Sequence, residues 1–330
     1  MKPMSKFSRI FLVPIITVGF LLNVAITQKA AAEEVTYLLP APPFLPAFGP
    51  WMLAQARGYY KAEGLKVKFQ TARGGVDVAK QVGAGNAVIG GGIGDTSIIV
   101  RPNGIPVKAV AVLGGRSLMQ LVTRADGPIK TLKDLKGKTI TALSLQDTTY
   151  YGLLGMLASV GLTKNDVKAQ GAGPVGVWKL FIAGKSDAMA GVPDWIGIAM
   201  GAKVKVKIWP ADDYFKSMAQ AILASDRVIK EKPMLIAKLV KATLRGMSDI
   251  MKDPDGASID YVKHVTRHKG KEKAMAGVFK LYNQYVYPGQ KKLGAMDRDR
   301  LRGLQEFYVK QGIVRTSSKL DDLYTNQFVK

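Results

Sequence analysis

The hydrophobic pattern of the first 115 residues changes repeatedly between strand-like and helix-like periods. Leu65, Val67 and Phe69 alternate with polar residues, which predicts a half-buried strand. The segment 51–62 has helical spacing, and Gly64 follows it as a stop signal. Three more strands are predicted at 35–39, 87–89 and 107–113, with a helix at 76–82. This order is typical of a parallel sheet flanked by helices.

The same alternation restarts after residue 130. Thr131 and Asp134 form a capping box for a short helix. The pattern then predicts strands at 139–143 and 188–190 and helices at 149–160 and 175–183. From Pro233 onward the spacing is helical, interrupted at Asp253-Pro254, and we expect a helical annex that packs on the first lobe.

The two halves share one internal similarity. Gly85 is followed by a strand and then Asp95, and Gly184 is followed by a strand and then Asp194. In both halves ten positions separate the glycine from the aspartate. This repetition favours two similar lobes that face one another.

The first 32 residues have the three-part pattern of a secretory signal peptide. A basic start precedes the mostly apolar segment 10–26, and Ala30-Ala31-Ala32 follows as a cleavage site. A retained membrane anchor is the alternative, which the interruptions at Pro14, Gly19 and Asn23 disfavour. We expect a mature chain from Glu33, located in a periplasm.

Composition excludes several kinds of protein. The chain has 48 Lys and Arg against 25 Asp and Glu, a net charge of +23. Four of these bases lie in the predicted signal peptide, which leaves 44 against 25, or +19. The bases are spread along the chain, so we expect a basic solvated surface and no nucleic-acid partner.

No cysteine is present, which excludes disulfides, thiolate metal sites, a cysteine nucleophile and a lipid anchor through cysteine. The two histidines, His264 and His268, have the spacing of a zinc pair, but a third ligand is missing and basic residues surround them. The sequence contains neither a G-x-S-x-G elbow nor a complete phosphate loop. We therefore expect no metal, no cofactor and no enzymatic activity.

Several segments carry a resemblance to a known family. They are Gly58-Tyr59-Tyr60-Lys61-Ala62-Glu63-Gly64-Leu65, then Gly74-Gly75, Asp134-Leu135-Lys136-Gly137-Lys138, Gly161-Leu162, Ala183-Gly184 with Asp187-Ala188, and Pro233 with Asp253-Pro254. In these segments the chain resembles the periplasmic ABC-transporter solute-binding proteins for sulfonates, taurine, nitrate and thiamine-pyrimidine precursors. The resemblance spans about residues 35–257.

The resemblance implies an α/β, two-lobed periplasmic-binding-protein fold of type II, with a mixed sheet in each lobe and the ligand between them. Lobe one would comprise 33–115 and about 225–330, lobe two about 121–207, and the hinges about 114–120 and 208–224. The chain would be a monomer that captures a small organic solute with high affinity. It would deliver the solute to an inner-membrane ABC permease with its ATPase.

The alternatives to transport are enzymes of similar architecture and a periplasmic sensor. The eukaryotic pyrimidine synthase and porphobilinogen deaminase resemble this architecture, but both depend on cysteines that this chain lacks. A periplasmic sensor subunit that binds the same ligand is the other alternative.

Ligands of open α/β sheets bind beyond the carboxyl ends of the strands. That rule selects the candidate ligand-binding residues of lobe one, which are Phe44, Trp51, Gly74, Gly75, Asp95, Thr96 and Arg116. In lobe two it selects Asp147, Thr148, Thr149, Tyr150, Asp194 and Trp195.

These residues point to different ligands. The fork of Arg116 suits an oxyanion, whereas Asp95 and Asp194 suit an amine or aminopyrimidine. Tyr150 and Trp195 could close over a ring or chain. Other candidates could have a purely structural role. Trp51 could be a core residue, and Asp194 could form an ion pair with a lysine. One of Asp147, Thr148 and Thr149 could serve only as a helix cap. The order of preference is an organic anion such as a sulfonate or carboxylate, then a thiamine-type pyrimidine precursor, then nitrate.

Overall fold

The computed structural model describes residues 32–329, which form one compact unit. The predicted signal peptide, 1–32, lies outside the described residues except for Ala32. Among residues 32–329 no helix combines the length and the apolar character needed to cross a bilayer.

Lobe one contains a five-stranded sheet in the order β2-β1-β3-β10-β4. Its strands are β1 Glu33–Leu39, β2 Leu65–Thr71, β3 Ile89–Ile93, β4 Val107–Val112 and β10 Gln220–Ser225. β1 is parallel to β2 and β3, with Val35 opposite Val67 and Tyr37 opposite Phe69. β10 is antiparallel to both β3 and β4. The sheet of lobe one is therefore completed by β10, a strand that follows lobe two in the chain.

Lobe two repeats this topology in the order β7-β6-β8-β5-β9. Its strands are β5 Gln120–Arg124, β6 Thr139–Ala142, β7 Lys168–Gly171, β8 Ala188–Gly191 and β9 Val206–Trp209. β6 is parallel to β7 and β8, and β5 is antiparallel to β8 and β9. Each sheet thus has four strands that run in one direction and one antiparallel strand, β10 or β5, next to a crossover.

Helices flank both sheets. Lobe one has α1 Gly49–Ala56, α2 Tyr59–Ala62, α3 Gly75–Gly83 and α4 Thr96–Val100, and lobe two has α5 Thr148–Ser159, α6 Gly173–Ile182 and α7 Pro193–Gly201. The C-terminal annex has α8 Asp226–Glu231, α9 Pro233–Lys252, α10 Pro254–His264, α11 Glu272–Tyr285, α12 Arg298–Lys310 and α13 Leu320–Leu323. Short 3₁₀ helices occupy Pro46–Phe48, Arg101–Asn103, Leu132–Leu135, Lys164–Asp166, Ala211–Asp213 and Thr266–His268.

The annex packs on lobe one, as the pattern predicted. α9 lies against α1 so closely that a Cβ on Gly246 would come within 2.2 Å of the Pro50 carbonyl oxygen. The Thr131–Asp134 capping box is present. Asp253 ends α9 and caps α10 by accepting from the Gly256 N–H, which explains the predicted break at Asp253-Pro254.

The structure differs from the sequence prediction at the glycine cluster after residue 89. The third strand was predicted over 87–89, whereas β3 extends to Ile93, so that Gly90 and Gly92 lie inside it. A Cβ on Gly90 would come within 2.2 Å of Val78, and one on Gly92 within 2.6 Å of Leu223. Gly90 and Gly92 are two positions apart and face the same side of β3, so they serve close packing on that face.

The crossovers between lobes differ in extent from the predicted hinges. The first runs from the end of β4 at Val112 to the start of β5 at Gln120. The second lies between β9 and β10, since the predicted segment 208–224 includes residues of both strands. The single helix predicted over 51–62 is two helices, because Gly58 adopts a left-handed φ of 70° between α1 and α2.

Candidate functional site: the crevice between the lobes

The two lobes touch where the loops after their parallel strands meet. The loop after β1 carries Ala47, whose backbone N–H donates to Asp194 Oδ2 over 3.0 Å. Asp194 lies in the first turn of α7, directly after β8. The hydroxyl of Tyr282 on α11 donates to Asp194 Oδ1, also over 3.0 Å. Asp194 therefore connects lobe two to two separate segments of lobe one.

Burial changes the acid–base behaviour of this contact. The Asp194 side chain has lost its water, which raises its pKa to about 6, although the hydrogen bonds from Ala47 and Tyr282 act in the opposite direction. A buried carboxyl with a raised pKa binds its proton more tightly than a solvated one. Its contribution to stability is therefore full below about pH 4 and is lost as the pH rises through about 6.

Replacing Tyr282 with phenylalanine keeps the ring stacked on Tyr287 and removes one donor to Asp194. At about pH 8 the carboxylate is ionised, and we expect a loss of about 1–3 kcal/mol in the free energy of unfolding. At about pH 5 the acceptor is protonated and the loss should fall below about 1 kcal/mol. Denaturant titration at both pH values measures the difference. Tyr285→Phe, a half-buried tyrosine on the same helix, is the matched control, and an equal loss at both pH values would contradict an ionised acceptor.

A second carboxyl group, Asp95, occupies the equivalent place in lobe one. It precedes α4 directly after β3 and is 1% exposed. Tyr308 on α12 donates its hydroxyl to Asp95 Oδ2 over 2.5 Å. The other oxygen, Oδ1, is buried and has no hydrogen-bond partner among the described residues. Loss of water raises the pKa of Asp95 to about 7, Tyr308 opposes the shift, and the charge of Asp147 adds to it.

Lobe two contributes the start of α5 to the opposite side of this crevice. Asp147 caps α5 and accepts from the Thr149 N–H over 2.8 Å and from the Thr149 hydroxyl over 2.5 Å. Burial raises its pKa, and the hydrogen bonds from Thr149 and Thr148 counteract that rise. The crevice between the lobes is lined by Ile93, Asp95, Leu118, Met119, Thr148, Thr149, Ser217 and Met218. The structure thus brings Asp95, Thr148 and Thr149 together at the crevice, and Asp147 caps the helix that carries the two threonines.

Aromatic rings from both lobes lie beside these carboxyl groups. Tyr151 of α5 and Tyr308 of α12 meet edge to face, with ring centroids 5.4 Å apart. Burial raises the pKa of the Tyr151 hydroxyl, and the charges of Asp147 and Asp95 raise it further. The predicted aromatic residue, Tyr150, is instead 7% exposed and belongs to the lobe-two core. Tyr151, the next residue in the chain, therefore occupies the position beside the crevice that the sequence analysis assigned to Tyr150.

The glycine loop after β2 lies against the start of α4. Gly74 has a φ of 91°, and a Cβ on Gly75 would come within 3.3 Å of Thr96 Oγ1. Thr96 Oγ1 accepts from the Ile93 N–H over 3.1 Å. The start of α3 already has a negative charge nearby, since Asp77 accepts from a backbone N–H four residues earlier. Close packing accounts for these glycines, and Asp77 disfavours an anion at this helix end.

Three aromatic candidates have structural contacts. Trp51 is 1% exposed in the lobe-one core and contacts Tyr37 edge to face. The carbonyl of Phe44 accepts from Tyr261 and contacts a ring nitrogen of His268 at 2.7 Å. Those contacts come from the annex side of the loop. Half-buried Trp195 packs against the hydrophobic residues of both lobes. Trp51 is therefore a core residue, which was the alternative interpretation of the sequence.

Arg116 does not lie with the crevice carboxylates. It is exposed, and its Nη1 is 3.3 Å from the carbonyl oxygen of Gln284. Together with Asp212 and Arg300 it lines a separate cavity of about 930 Å³ beside the crossovers. The guanidinium is therefore not positioned to bind an oxyanion next to Asp95.

The sequence analysis did not identify Arg300, whose side chain forms hydrogen bonds to both crossovers. Its Nη1 donates to the Gly115 carbonyl over 2.9 Å and to Asp212 Oδ2 over 2.8 Å. Its Nη2 donates to Asp212 Oδ1 over 2.5 Å and to Ser117 Oγ over 3.2 Å, and its Nε donates to the Ser217 carbonyl over 2.6 Å. All five donors of the guanidinium are used. Arg300 thus joins α12 to both crossovers at once, and we call this group the hinge clamp.

The two histidines do not form a metal pair in the structure. His264 contacts Gln55 over 3.1 Å, and His268 contacts the Phe44 carbonyl over 2.7 Å. Within residues 32–329 no group of three His, Cys, Asp or Glu side chains is arranged to hold a metal ion.

Comparison with known proteins gives consistent results. A family model described as NMT1/THI5 like matches residues 45–257. The riboflavin-binding protein RibY of Chloroflexus aurantiacus is 26% identical over 358 aligned residues, 96% of this chain and 97% of RibY. The 4-amino-5-hydroxymethyl-2-methylpyrimidine phosphate synthase THI13 of Saccharomyces cerevisiae is 25% identical over 255 residues, 70% of this chain and 71% of the synthase.

Solved structures share the fold. The alkanesulfonate-binding protein SsuA of Xanthomonas axonopodis, bound to MOPS, superposes with a TM-score of 0.71 at 16% identity, covering 90% of this chain and 98% of SsuA. The periplasmic nitrate-binding protein NrtA of Synechocystis superposes with a TM-score of 0.67 at 11% identity, covering 90% of this chain and 87% of NrtA. The predicted two-lobed α/β fold of the periplasmic binding proteins is confirmed.

Proposed function

Because the chain belongs to the NMT1/THI5-like family, we propose that it captures a small organic solute between its lobes and delivers it to the permease of an ABC importer. The observation that supports this proposal is the pair of equivalent loops after β3 and β8, which carry Asp95 and Asp194 at corresponding positions of the two lobes. Two lobes of one topology joined by two crossovers form a clamp, and contacts from both lobes to one solute would favour closure.

A binding role, as opposed to catalysis, has support from the relatives. RibY aligns with 96% of this chain and is named for binding riboflavin. The yeast synthase aligns with 70% of the chain. Delivery in a periplasm, after removal of residues 1–32, belongs to the same proposal and depends on the signal-peptide pattern.

The organic anion expected from the sequence is not part of this proposal. That expectation depended on Arg116, which lines the cavity beside the crossovers. The carboxylates of Asp95 and Asp147 lie instead beside the crevice, and a sulfonate or carboxylate there would be repelled by like charge. Sulfonate binding is the printed property of SsuA, which at 16% identity shares the fold with this chain.

Lobe closure tests the proposed function directly. The chain has no cysteine, so Thr71→Cys and Gln170→Cys can carry a donor and an acceptor dye on residues 33–330. Both positions are exposed, at the carboxyl ends of β2 and β7. We expect a bound solute to change the transfer efficiency and to raise the Tm by mass action. A panel of cationic, neutral and anionic organic solutes, riboflavin included, supplies the ligands. A solute that raises the Tm without changing the transfer efficiency would contradict the clamp.

A further inference from the structure

The lysine and arginine side chains of lobe two all lie at one end of its sheet. Between Gln120 and Trp209 the chain has twelve of these bases, eleven of them lysine, and six carboxylates, all aspartate. The bases belong to the segments that precede β6, β7, β8 and β9, to the first residues of β7 and β9, to the last turn of α6 and to the end of β5. We call them the basic pole, which comprises the lysines and the arginine of 124–138, 164–168, 179–185 and 203–207.

The topology of the sheet brings these segments together. β6, β7, β8 and β9 run in one direction, so their amino ends share one edge, and β5 runs the opposite way and ends there at Arg124. A hydrogen bond of 3.1 Å from Lys207 Nζ to the Lys130 carbonyl joins two of the segments. The residues that line the crevice belong to the other edge, and none of the twelve bases is among them. The basic pole therefore faces away from the crevice.

Neighbouring carboxylates do not compensate the charge of the basic pole. Nine of the twelve bases are exposed, and in the part of the chain that the structure describes only Lys136 forms an ion pair, over 3.9 Å to Asp166. Elsewhere in that part eleven Lys or Arg side chains are paired with a carboxylate. Three of the four aspartates at this edge accept instead from backbone N–H groups. The four are Asp126, Asp134, Asp166 and Asp187, and against twelve bases they leave a net charge of +8.

Lys203 has a backbone conformation that a side chain disfavours. Its φ is 62°, and it is the single non-glycine residue with a positive φ among residues 32–329. It follows α7 in the same kind of turn that follows α5 and α6, where Gly161 and Gly184 occupy this position with φ of 77° and 70°. Glycine adopts this conformation without the cost that a Cβ adds. A charged side chain that is kept at this cost indicates a function for its charge.

The composition of the basic pole favours a lipid surface over a protein partner. Protein interfaces are depleted in lysine and depend on aromatic anchors, whereas the pole is rich in lysine and its Trp209 is 6% exposed. A lysine is a compact charge on a flexible stem, which suits mobile phosphate headgroups. Met200 is 50% exposed at the end of α7, and its carbonyl accepts from the Lys203 N–H. An apolar side chain beside lysines is typical of a contact with the headgroup region of a bilayer.

We propose that the basic pole binds an anionic phospholipid surface. The attraction is electrostatic, so it is reversible and falls off within a Debye length, about 10 Å at moderate salt. Lobe two would stand on the membrane with its crevice edge turned away, which leaves the crevice accessible to a solute. This inference goes beyond solute capture and does not depend on it. Its consequence is that the protein is concentrated at the membrane surface.

Sedimentation with lipid vesicles tests the proposal on residues 33–330. We expect binding to vesicles of mixed phosphatidylglycerol and phosphatidylcholine, no binding to phosphatidylcholine alone, and release as the salt concentration rises. The triple variant Lys168→Gln, Lys185→Gln and Lys205→Gln should weaken binding by about 100-fold, since each lysine at a membrane surface contributes about fivefold. Equal binding to both kinds of vesicle would overturn the proposal.

A second triple variant separates the basic pole from the general charge of the protein. Lys61→Gln, Lys80→Gln and Lys230→Gln remove the same charge from exposed positions of lobe one and the annex. This variant should bind the anionic vesicles nearly as the wild type does. If the two triple variants lose the same affinity, the binding belongs to the overall charge and the basic pole is refuted.

Lys203→Gly distinguishes a role in binding from a role in stability. Glycine relieves the strained backbone, so the Tm should stay the same or rise, while the affinity for anionic vesicles should fall by about fivefold. An unchanged affinity would contradict a function for this lysine at the membrane and would overturn the proposal.

Polyglutamate serves as the alternative probe. If the protein binds polyglutamate through the basic pole but does not bind the anionic vesicles, the partner is an acidic protein and the membrane proposal is wrong. These outcomes are independent of the clamp, because the transfer efficiency in the presence of solutes is measured without lipid.

Discussion

Replacing Arg300 with methionine is expected to lower the free energy of unfolding by about 3–5 kcal/mol. The substitution keeps an unbranched apolar stem but removes the guanidinium and the five hydrogen bonds of the hinge clamp. It also leaves Asp212, whose side chain is 18% exposed, without its counter-charge. Burial acts to raise the pKa of Asp212, but Arg300 and Ser117 hold it below its usual value. A Tm decrease on the order of 10 °C follows from the size of the chain.

The pH dependence and a paired variant make this prediction specific. A lowered carboxyl pKa stabilises the protein above the unfolded value and is lost as the pH falls, so the difference from wild type should shrink in acid. The double variant Arg300→Met with Asp212→Leu should lose less than Arg300→Met alone, because no unpaired charge remains. Arg302→Met, which breaks an exposed pair with Asp299, should change stability by less than about 0.5 kcal/mol. A loss no larger than that of Arg302→Met would refute the hinge clamp.

Substitution of Gly115 by alanine is expected to cost about 3 kcal/mol. A Cβ there would lie 2.5 Å from the carbonyl carbon of Gly289, 2.6 Å from the Pro288 oxygen and 2.7 Å from the Gln290 nitrogen. These are backbone atoms, so the clash cannot be relieved by a change of rotamer. The first crossover would have to move away from the segment after α11, and its bonds to that segment would weaken.

Gly303 supplies the matched control for this substitution. It lies on the exposed face of α12, and a Cβ there has no neighbour within 4 Å. Gly303→Ala should therefore stabilise the protein by up to about 1 kcal/mol through helix propensity. Denaturant titration of both variants measures the two changes in the free energy of unfolding. If Gly115→Ala unfolds at the same denaturant concentration as Gly303→Ala, the close approach at the first crossover does not constrain the protein.

The local pattern predicted much of the fold because strands and helices have different hydrophobic periods. The alternation at Leu65, Val67 and Phe69 and the capping box at Thr131 are determined by neighbouring residues. The equal spacing of Asp95 and Asp194 after Gly85 and Gly184 correctly indicated two lobes of one topology. The strands β5, β7 and β9 of lobe two escaped prediction, because their place in the sheet depends on pairing with segments that are distant in the chain.

The site was harder to predict because its partners come from the annex. Tyr282 and Tyr308 lie on amphipathic helices, where a buried tyrosine is indistinguishable from core, and they reach aspartates 88 and 213 positions away. Arg116 follows β4 as the strand-end rule required, yet its side chain lies beside the crossovers, which chain order does not reveal. Tyr150 and Tyr151 are adjacent, and only the rotation of α5 determines which of them faces lobe one.

The sheet of lobe one contains β10, which follows lobe two in the chain, and this determines the order in which the two lobes can fold. All five strands of lobe two lie in one continuous segment, from Gln120 to Trp209. Lobe one has no strand between β3 and β4 until Gln220–Ser225 has been synthesised. The edges of β3 and β4 thus stay unpaired while ninety or so residues of lobe two emerge, and such edges favour aggregation. The lobe that begins first is completed last, so a factor that binds the incomplete lobe would assist it during synthesis.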